Sequence, residues 1–444
     1  MPDESTVATA SPDGPGTTLL REGTSQAFLV AEFFAGIGLA RKGLEAADGT
    51  NFRVVWANDL DKSKAETYKG HFRSDPPDHY QIADIRDVAK NINAYSVPRN
   101  AHLAWASFPC TDLSLAGGRE GLKGKHSVTF WHFTDVLDAL GIDKPPVVVL
   151  ENVNGFATSH GGKDIRVAVR KLNKLGYCVD ILTLDARRFV PQSRPRLFLI
   201  ASDQEVANQD PRRNTELRPS WLDAVLDDPG LHTQRVLIPD PPQLLSGGWS
   251  SIVDADTDPE VEWWDQARTE KFQSELSEIQ RARIEALSNT GRVEYRTAYR
   301  RTRAGKPAWE IRADDIAGCL RTARGGSSKQ AVVRIEKGMP LRVRWMTASE
   351  YAKLMGADDY VLPTKRNQSI MGFGDAVCVD AVKWLAENYL GPLLSRRIAL
   401  LDSISMVKAV PFQETLPDIA GELADISSQN GHASRISVLN AGGR

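Results

Sequence analysis

Six short apolar runs separated by stretches of helical pattern are the feature that most constrains the fold of this chain. The runs lie at residues 28–34, 53–59, 102–108, 146–152, 178–184 and 196–202, with helical patterns at 37–47, 61–71, 129–141 and 163–175. Parallel strands need crossover helices and bury both faces, so this alternation predicts an α/β fold with a doubly wound, mostly parallel sheet. Ligands bind at the carboxyl ends of the strands in such sheets, which makes the polar residues after each run the candidate site.

The alternation stops after Ser202, and this sets the expected domain boundaries in a chain of 444 residues, which exceeds the usual size of one core. Residues 1–25, rich in Ser, Thr, Pro, Asp and Gly, predict a disordered lead-in. We expect a catalytic domain at 26–202 and a second, irregular lobe at 203–341, with a helix at 266–289. Helical patterns at 347–356 and 375–390 predict that segment 342–392 returns to the first domain, and 393–444 is expected to be a weakly structured tail.

Charge is distributed unevenly along the chain. The net charge is only −2, but residues 281–345 contain 16 Arg and Lys against 6 Asp and Glu. This excess is typical of a polyanion-binding face, although a solvated basic surface explains it equally well. No run approaches the roughly 20 apolar residues of a membrane helix, and the first residues lack the pattern of a signal peptide, so we expect a cytoplasmic protein. The four cysteines lie far apart without a CxxC pair, which predicts no metal site and a thiol that acts alone.

The first group of candidate residues follows the first two runs. Gly36 and Gly38 form a Gly-x-Gly turn, which allows backbone to approach a bound nucleoside, although a plain tight turn would need the same residues. Asp59 lies 21 residues after Gly38, at the distance where doubly wound folds bind a ribose diol. Asp84 joins this site if it ends a further strand. The acid at this spacing favours a nucleoside cofactor.

A second group of candidates follows the later runs. Pro109 fixes the chain at the end of the third run and is expected to place the thiol of Cys110 at the rim of the active-site face. A glycine-rich loop follows, which suggests a mobile lid. Glu151 directly follows an all-apolar run, which leaves its carboxyl group partly desolvated and suited to hold or donate a proton, unless it only caps a turn. Arg194 and Arg196 alternate before the last run and can anchor Glu151 or a phosphate.

The segments FAGIG, ND, PC, ENV and QSRPR, each at a strand end and in this order, resemble the DNA (cytosine-5)-methyltransferases. The resemblance covers about 28–202 and resumes at 342–390. It implies a Rossmann-like S-adenosylmethionine-dependent fold, with Cys110 as the nucleophile and Glu151, Arg194 and Arg196 as its catalytic partners. It also implies a set of residues in contact with S-adenosylmethionine: Phe34, Gly36, Gly38, Asp59, Asp84, Ile85, Pro109, Asp375 and Val377.

By the same resemblance, residues 203–341 are the target recognition region, and we expect Gln192, Arg321 and Arg324 to contact DNA. Two positions depart from the family pattern. Leu39 stands where a further glycine is usual, and Asp375 replaces the asparagine of Gly-Asn-x-Val, which adds a charge beside the cofactor site. Because Cys110 and Glu151 are both present, we do not interpret these departures as loss of activity.

The resemblance predicts methyl transfer from S-adenosylmethionine to C5 of a flipped-out cytosine in a specific sequence of double-stranded DNA. We expect a monomer on DNA that accompanies a restriction nuclease or another defence system. One alternative is a tRNA cytosine methyltransferase, but its recognition region is smaller than the segment 203–341. A non-catalytic DNA-binding relative would lack Cys110 or Glu151. An NAD-type oxidoreductase would carry a full GxGxxG motif, which this chain lacks.

Overall fold

Seven strands form one sheet in the computed structural model, which describes residues 27–109, 128–207, 209–303, 305–321, 329–363 and 365–409. The strands are β1 Phe28–Phe33, β2 Phe52–Asp59, β3 Tyr80–Ile82, β4 Leu103–Ala106, β5 Val147–Val153, β6 Cys178–Asp185 and β7 Pro195–Ser202. Their order is β3-β2-β1-β4-β5-β7-β6, and β7 runs antiparallel to both of its neighbours. The predicted doubly wound, mostly parallel α/β sheet is confirmed.

The helices of this part connect the strands as the pattern predicted. They are α1 Leu39–Glu45, α2 Lys62–His71, α3 Ile85–Lys90, α4 Val128–Leu140, α5 Gly155–Thr158 and α6 Lys163–Lys174. In α4 the buried residues Phe130, Phe133, Leu137 and Leu140 follow helical spacing and face the sheet. Strands β4 and β5 are buried along almost their whole length, because helices cover both faces of the sheet.

The region after β7 contains four short helices and a second sheet. The helices are α7 Asp223–Leu226, α8 Trp249–Ile252, α9 Gln266–Ser274 and α10 Glu278–Ser288. Strands β8 Glu294–Arg303, β9 Lys306–Ile311, β10 Gln330–Ile335 and β11 Arg342–Trp345 form an antiparallel sheet in the order β11-β10-β8-β9. Phe272, Trp309 and Val333 belong to a separate hydrophobic core beneath it. The lobe predicted to be irregular is thus partly regular.

Two details of this region differ from the sequence predictions. The helix expected at 266–289 is two helices, because the carbonyl of Glu275 accepts the backbone N–H of Trp309 at 3.2 Å and its carboxylate pairs with Arg300. The boundary expected after residue 341 falls inside the second sheet, because β11 pairs with β10. The region defined by this sheet therefore extends to Trp345.

The chain then returns to the first sheet through α11 Ala348–Lys353, α12 Arg366–Asp375 and α13 Val379–Leu385, followed by a π-helical turn at Ala386–Leu390 and α14 Gly391–Ala409. A capping box of Thr347 and Glu350 begins α11. The helix predicted at 375–390 is interrupted, since Ala376 is extended.

Residues up to Leu394 form one compact unit, and the next unit begins at Ser395. The tail expected to be weakly structured begins in α14, and 410–444 lie outside the described residues. No described helix is long and apolar enough to cross a membrane.

Candidate active site

The order of the first sheet reverses between β1 and β4, and this creates a crevice at the carboxyl ends of the strands. Strands β2 and β3 lie on one side of the reversal and β5 on the other. Strands β1 to β5 are parallel, so their carboxyl ends all reach this edge. Ligands of doubly wound folds bind at such a reversal. Of the predicted residues, Asp59 and Glu151 lie at or near the ends of these strands, and Asp84 follows β3.

The loop after β1 takes a left-handed backbone conformation at Phe34 (φ 56°), Gly36 (φ 58°) and Gly38 (φ 80°). A Cβ on Gly38 would lie 2.6 Å from ring carbons of Tyr68 and Phe72, so only glycine fits there. Gly36 differs, because the nearest atom to a Cβ on it would be 3.9 Å away. Gly38 therefore serves packing inside the protein, and Gly36 is the position that leaves room for a ligand.

Leu39, the first departure from the family pattern, is 1% exposed and belongs to the core that contains Ile37, Tyr351 and Phe373. A leucine in this place fills space that a glycine would leave empty. The segments before and after the second sheet both contribute to this core. The departure is therefore accommodated by packing and leaves the turn itself unchanged.

The carboxylate of Asp59 is held against the same loop. Its Oδ2 accepts the backbone N–H of Gly36 at 3.0 Å, and its Oδ1 accepts that of Asp61 at 2.9 Å. Burial raises the pKa of Asp59 above its ordinary value, although the charge of Lys64 opposes this. Each carboxylate oxygen accepts more than one hydrogen bond, so Asp59 retains the capacity to bind a diol.

Sequence analysis missed two exposed apolar residues beside Asp59. Leu60, the next residue, is 63% exposed, and Ile82 at the end of β3 is 43% exposed. Apolar side chains of this kind at the carboxyl edge of a sheet provide a surface for a flat ring. Their positions, directly after a candidate acid and at the end of a short strand, are the signal that could have identified them.

Asp84 follows β3, as its assignment to this site required. Its side chain caps α3 by accepting the backbone N–H of Arg86 at 2.9 Å, and it forms an ion pair with the guanidinium of Arg86 at 2.7 Å. These hydrogen bonds with Arg86 lower the pKa of Asp84. Ile85 is buried. Asn58 fixes the preceding backbone by donating to the carbonyls of Gln81 and Ala83 at 2.9 and 3.0 Å.

Glu151 near the end of β5 meets Arg196 of the antiparallel strand β7. The guanidinium Nε of Arg196 lies 3.0 Å from Oε1 of Glu151, and the two side chains are 13% and 7% exposed. The predicted anchoring of Glu151 by an arginine is therefore present. Asn152 donates to the carbonyl of Phe108 at 3.1 Å and so ties the end of β4 to β5. Exposed Pro109 follows at once, while Cys110 lies outside the described residues.

The roles predicted for Arg194 and Gln192 need correction. Arg194 is 1% exposed and donates to the carbonyls of Leu320, Gly374 and Ala376 at 2.7, 3.0 and 2.6 Å. Gln192 is fully buried, donating to the carbonyl of Leu354 at 2.6 Å and accepting the N–H of Leu320 at 3.0 Å. Arg194 and Arg196 do not act together as predicted, because Arg194 precedes β7 and is buried, whereas Arg196 lies within β7 and reaches Glu151. Arg194 is a structural tie instead of a catalytic group, and Gln192 is not placed to contact DNA.

Cys319, a residue that sequence analysis did not identify, lies beside Arg194 and interacts with Arg196, the partner of Glu151. Its Sγ accepts a hydrogen bond from Arg194 at 3.3 Å. Although burial opposes the effect, the charges of Arg194, Arg196 and Arg321 hold the pKa of the Cys319 thiol below its ordinary value. The position of Cys319 within the basic stretch, two residues before Arg321, was the available signal.

The segment GDAV at residues 374–377, which corresponds to the Gly-Asn-x-Val pattern of the family, brings Asp375 and Val377 to the first sheet. Val377 is buried. The carboxylate of Asp375 forms an ion pair with Lys64 of α2, with Nζ and Oδ2 2.7 Å apart. Although burial opposes it, the charges of Asp375 and Asp59 hold the pKa of Lys64 above its ordinary value. Lys64 is a further residue that sequence analysis missed.

The basic stretch is more neutral than its composition suggested. Of the fifteen basic residues of this stretch that the structure describes, eight form ion pairs with described acids: Arg296, Arg300, Arg301, Arg303, Arg312, Arg334, Arg342 and Arg344. Arg321, one of the two arginines expected to contact DNA, is exposed, and Arg324 lies outside the described residues. In the described part of the chain, no group of three or more His, Cys, Asp and Glu side chains is arranged to hold a metal ion.

Beneath the glycine loop lies a buried carboxyl group that the motifs did not suggest. Glu32 of β1 is 1% exposed, and its Oε1 accepts the backbone N–H of Arg41 at 3.3 Å. Its Oε2 is buried without a hydrogen-bond partner among the described residues. Burial raises the pKa of Glu32 to about 8, although the charge of Arg41 opposes this.

A seven-stranded sheet with a reversed strand β7 and a glycine loop held by an acid defines the Rossmann-like fold of S-adenosylmethionine-dependent methyltransferases. A solved structure of the S. pombe Dnmt2 methyltransferase has this fold, with a TM-score of 0.53 and 16% identity over 84% of this chain and 99% of that one. The chain belongs to the C-5 cytosine-specific DNA methylase family, whose model it matches over residues 28–390.

Two relatives show how far the sequence similarity extends. The type II methyltransferase M.Bsp6I of Bacillus sp. (strain RFL6) is 33% identical over 173 residues, which cover 38% of this chain and 51% of the relative. The DNA-cytosine methyltransferase of Escherichia coli (strain K12) is 31% identical over 206 residues, covering 39% of this chain and 42% of the relative. The chain thus spans about half the length of the curated relatives it matches.

Proposed function

We propose that this protein transfers a methyl group from S-adenosylmethionine to C5 of a cytosine in double-stranded DNA. The observation that carries the proposal is the ion pair of Glu151 and Arg196 at the carboxyl edge of the sheet, 3.0 Å between Nε and Oε1. Asn152, the residue after Glu151, donates to the carbonyl of Phe108, after which Pro109 and the predicted nucleophile Cys110 follow in the sequence. The family assignment supports the same reaction.

The described residues fit the chemistry of S-adenosylmethionine. Gly36 leaves open space where a side chain would otherwise stand, and Asp59 beside it supplies a carboxylate for the ribose diol. Exposed Leu60 and Ile82 supply apolar surface for the adenine ring, with Asp84 nearby as an acceptor for its amino group. The remaining contacts proposed from the family resemblance are those of Phe34, Gly38, Ile85, Pro109, Asp375 and Val377.

Carbon 5 of cytosine is a weak nucleophile, so the reaction requires addition at C6 first. The thiolate of Cys110 forms a bond to C6, and electrons move toward C5. Glu151, oriented by Arg196, shares a proton with N3, accepts a hydrogen bond from the exocyclic amine and so stabilises the charge that develops on the ring. S-adenosylmethionine, when bound, supplies the electrophilic methyl group that C5 takes up, and breaking of its S–CH3 bond leaves S-adenosylhomocysteine as the product. Loss of the C5 proton and elimination then release Cys110.

The reacting atoms lie inside a stacked duplex, so the target cytosine has to be flipped out of the helix. The region 203–345, which contains the second sheet, is proposed to recognise the DNA sequence, with Arg321 and Arg324 as phosphate contacts. We propose that the protein acts as a cytoplasmic monomer on DNA. Names of type II relatives favour a role beside a restriction nuclease or another defence system.

A duplex that contains 5-fluorocytosine tests the nucleophile. Bisulfite sequencing of DNA from cells that express the protein first identifies the methylated site. With S-adenosylmethionine, a duplex carrying 5-fluorocytosine at that site is expected to form an adduct that resists denaturation, because fluorine cannot leave as a cation. Cys110→Ala is expected to form none, and Glu151→Gln to form it roughly 10²- to 10⁴-fold more slowly.

Cys319→Ala is the matched control, because this thiol interacts with Arg196, the partner of Glu151, and three arginines lower its pKa. It is expected to form the adduct. An adduct with Cys110→Ala that disappears in Cys110→Ala/Cys319→Ala would transfer the role to Cys319. Methylation of tRNA instead of duplex DNA would favour the alternative substrate.

A further inference from the structure

An ion pair joins two distant parts of the chain beside the proposed cofactor loop. Nζ of Lys64 and Oδ2 of Asp375 are 2.7 Å apart, although the residues are 311 positions apart in the sequence. The Lys64 stem passes over Gly36, with its Cδ 3.9 Å from where a Cβ on that glycine would stand. Asp375 is also the position where the family pattern has a neutral asparagine. The ion pair therefore includes the residue that departs from the family pattern, Asp375, and lies beside the loop proposed to bind the cofactor.

Both partners are fixed by further hydrogen bonds. The backbone N–H of Lys64 donates to the capping carboxylate of Asp61 at 3.2 Å. On the other side, Arg194 donates to the carbonyls of the residues before and after Asp375 at 3.0 and 2.6 Å. Gln368 of α12 donates to the carbonyl of Ser63 at 2.9 Å, which holds α12 against α2. These contacts distinguish the pair from an unconstrained surface ion pair.

The layout of the sheet indicates which end of S-adenosylmethionine reaches the pair. In the proposed function, the adenosine part lies over β2 and β3, where Asp59 and Asp84 stand. The strand order β3-β2-β1-β4 then directs the amino-acid end of an extended ligand toward the loop after β1. Gly36 belongs to this loop, and the ion pair lies beside it. The amino-acid end carries a carboxylate, which a lone acid at position 375 would repel.

We propose that Lys64 is a cofactor-binding residue that neutralises Asp375 and presents its ammonium to the carboxylate of S-adenosylmethionine. An ammonium group has three N–H donors, and the bond to Asp375 occupies one of them. The carboxylates of Asp375 and Asp59 keep Lys64 protonated. This inference rests on the proposed function and adds to it the group that recognises the charged end of the cofactor.

Binding measurements with two nucleosides test the assignment. S-adenosylhomocysteine carries the amino-acid end, whereas 5′-methylthioadenosine lacks it. In isothermal titration calorimetry, we expect Lys64→Met to reduce the affinity for S-adenosylhomocysteine about 10- to 100-fold, which is the effect of losing one charge-assisted hydrogen bond. The affinity for 5′-methylthioadenosine is expected to change less than about 2-fold. Lys64→Arg keeps the charge and is expected to recover most of the affinity.

Asp375 supplies the second arm of the experiment. The double variant Lys64→Met/Asp375→Asn is expected to bind S-adenosylhomocysteine more tightly than Lys64→Met alone, because the unpaired acid has been removed. Equal weakening of both nucleosides by Lys64→Met would overturn the inference, since it would indicate a structural role, and so would no weakening of either. Both outcomes leave the proposed function intact. If the unmodified protein binds neither nucleoside, the proposed function fails together with the inference.

Discussion

The two sheets of this protein use charged residues in opposite ways. In the seven-stranded sheet the strands are mostly apolar, with a few buried acids such as Glu32 and Asp180, and charged side chains such as Asp59 stand at the strand ends by the crevice. In the four-stranded sheet the charges lie within the strands, as in EYRTAYRRTR of β8, and neighbouring acids neutralise many of them. The first arrangement exposes individual groups to a ligand, whereas the second stabilises the sheet itself. A count of basic residues therefore overstates the charge that the second region offers to DNA.

The largest expected effects come from replacing Arg194 and Arg196, which are two positions apart in the sequence but have different partners. Arg194→Ala leaves the carbonyls of Leu320, Gly374 and Ala376 without their buried donor, so we expect the free energy of unfolding to fall by about 3 to 5 kcal/mol. Arg196→Ala loosens Glu151 at the crevice, and we expect kcat to fall about 10- to 100-fold with a smaller loss of stability. Chemical denaturation and steady-state kinetics measure both quantities. A folded Arg194→Ala with normal stability and low kcat would restore its catalytic role.

A second test concerns Glu32, a buried acid of the first sheet whose pKa is raised to about 8. Between its ordinary pKa of 4.5 and about 8, the folded protein keeps a proton that the unfolded chain releases. The free energy of unfolding therefore falls as pH rises through this window. We expect Glu32→Gln to remove this pH dependence. Between about pH 6 and 9, the free energy of unfolding of the wild type is then expected to fall by roughly 2 to 3 kcal/mol more than that of the variant. Parallel pH profiles for the two proteins would show that Glu32 is ionised throughout.

The smallest expected effect concerns the second region. Each phosphate contact contributes about 0.9 to the slope of log binding constant against log salt concentration. We expect Arg321→Ala to reduce this slope by about 1, because Arg321 is exposed. Arg303→Ala is the matched control, since this arginine is also exposed but pairs with Glu310. Fluorescence anisotropy at several salt concentrations measures both. Equal slopes for the two variants would mean that ion pairing does not decide which arginines contact DNA.

Much of the first sheet was predictable because local pattern and long-range structure agree there. All six apolar runs are strands, and the four helical patterns from 37–47 to 163–175 are helices. The sequence could not indicate that β7 is antiparallel, because an apolar strand reads the same in both directions. This reversal explains why Arg196, at the start of its strand, reaches Glu151 near the end of β5.

The second sheet was missed because its strands lack the apolar continuity of buried parallel strands. Arginines occupy much of β8, and only pairing partners such as Glu275 and Glu310 reveal that they fit a folded sheet. At the site, the acids and Glu151 were predictable from their positions after apolar strands. The burial of Gln192 and Arg194 was not, because it depends on carbonyl groups from residues more than 100 positions away.

The direction of β7 determines where the second region can begin. Ser202 at its end pairs with Val147, the first residue of β5, so the chain leaves the sheet at the edge opposite the crevice. An eight-residue strand is about 26 Å long, and the following chain has to cover this distance before it reaches Leu320 beside Arg194. Its first part instead packs at the far edge, where Arg218 forms a buried ion pair with Asp180 of β6. Insertions or deletions soon after Ser202 would thus alter the length of a return path that begins at the edge opposite the crevice.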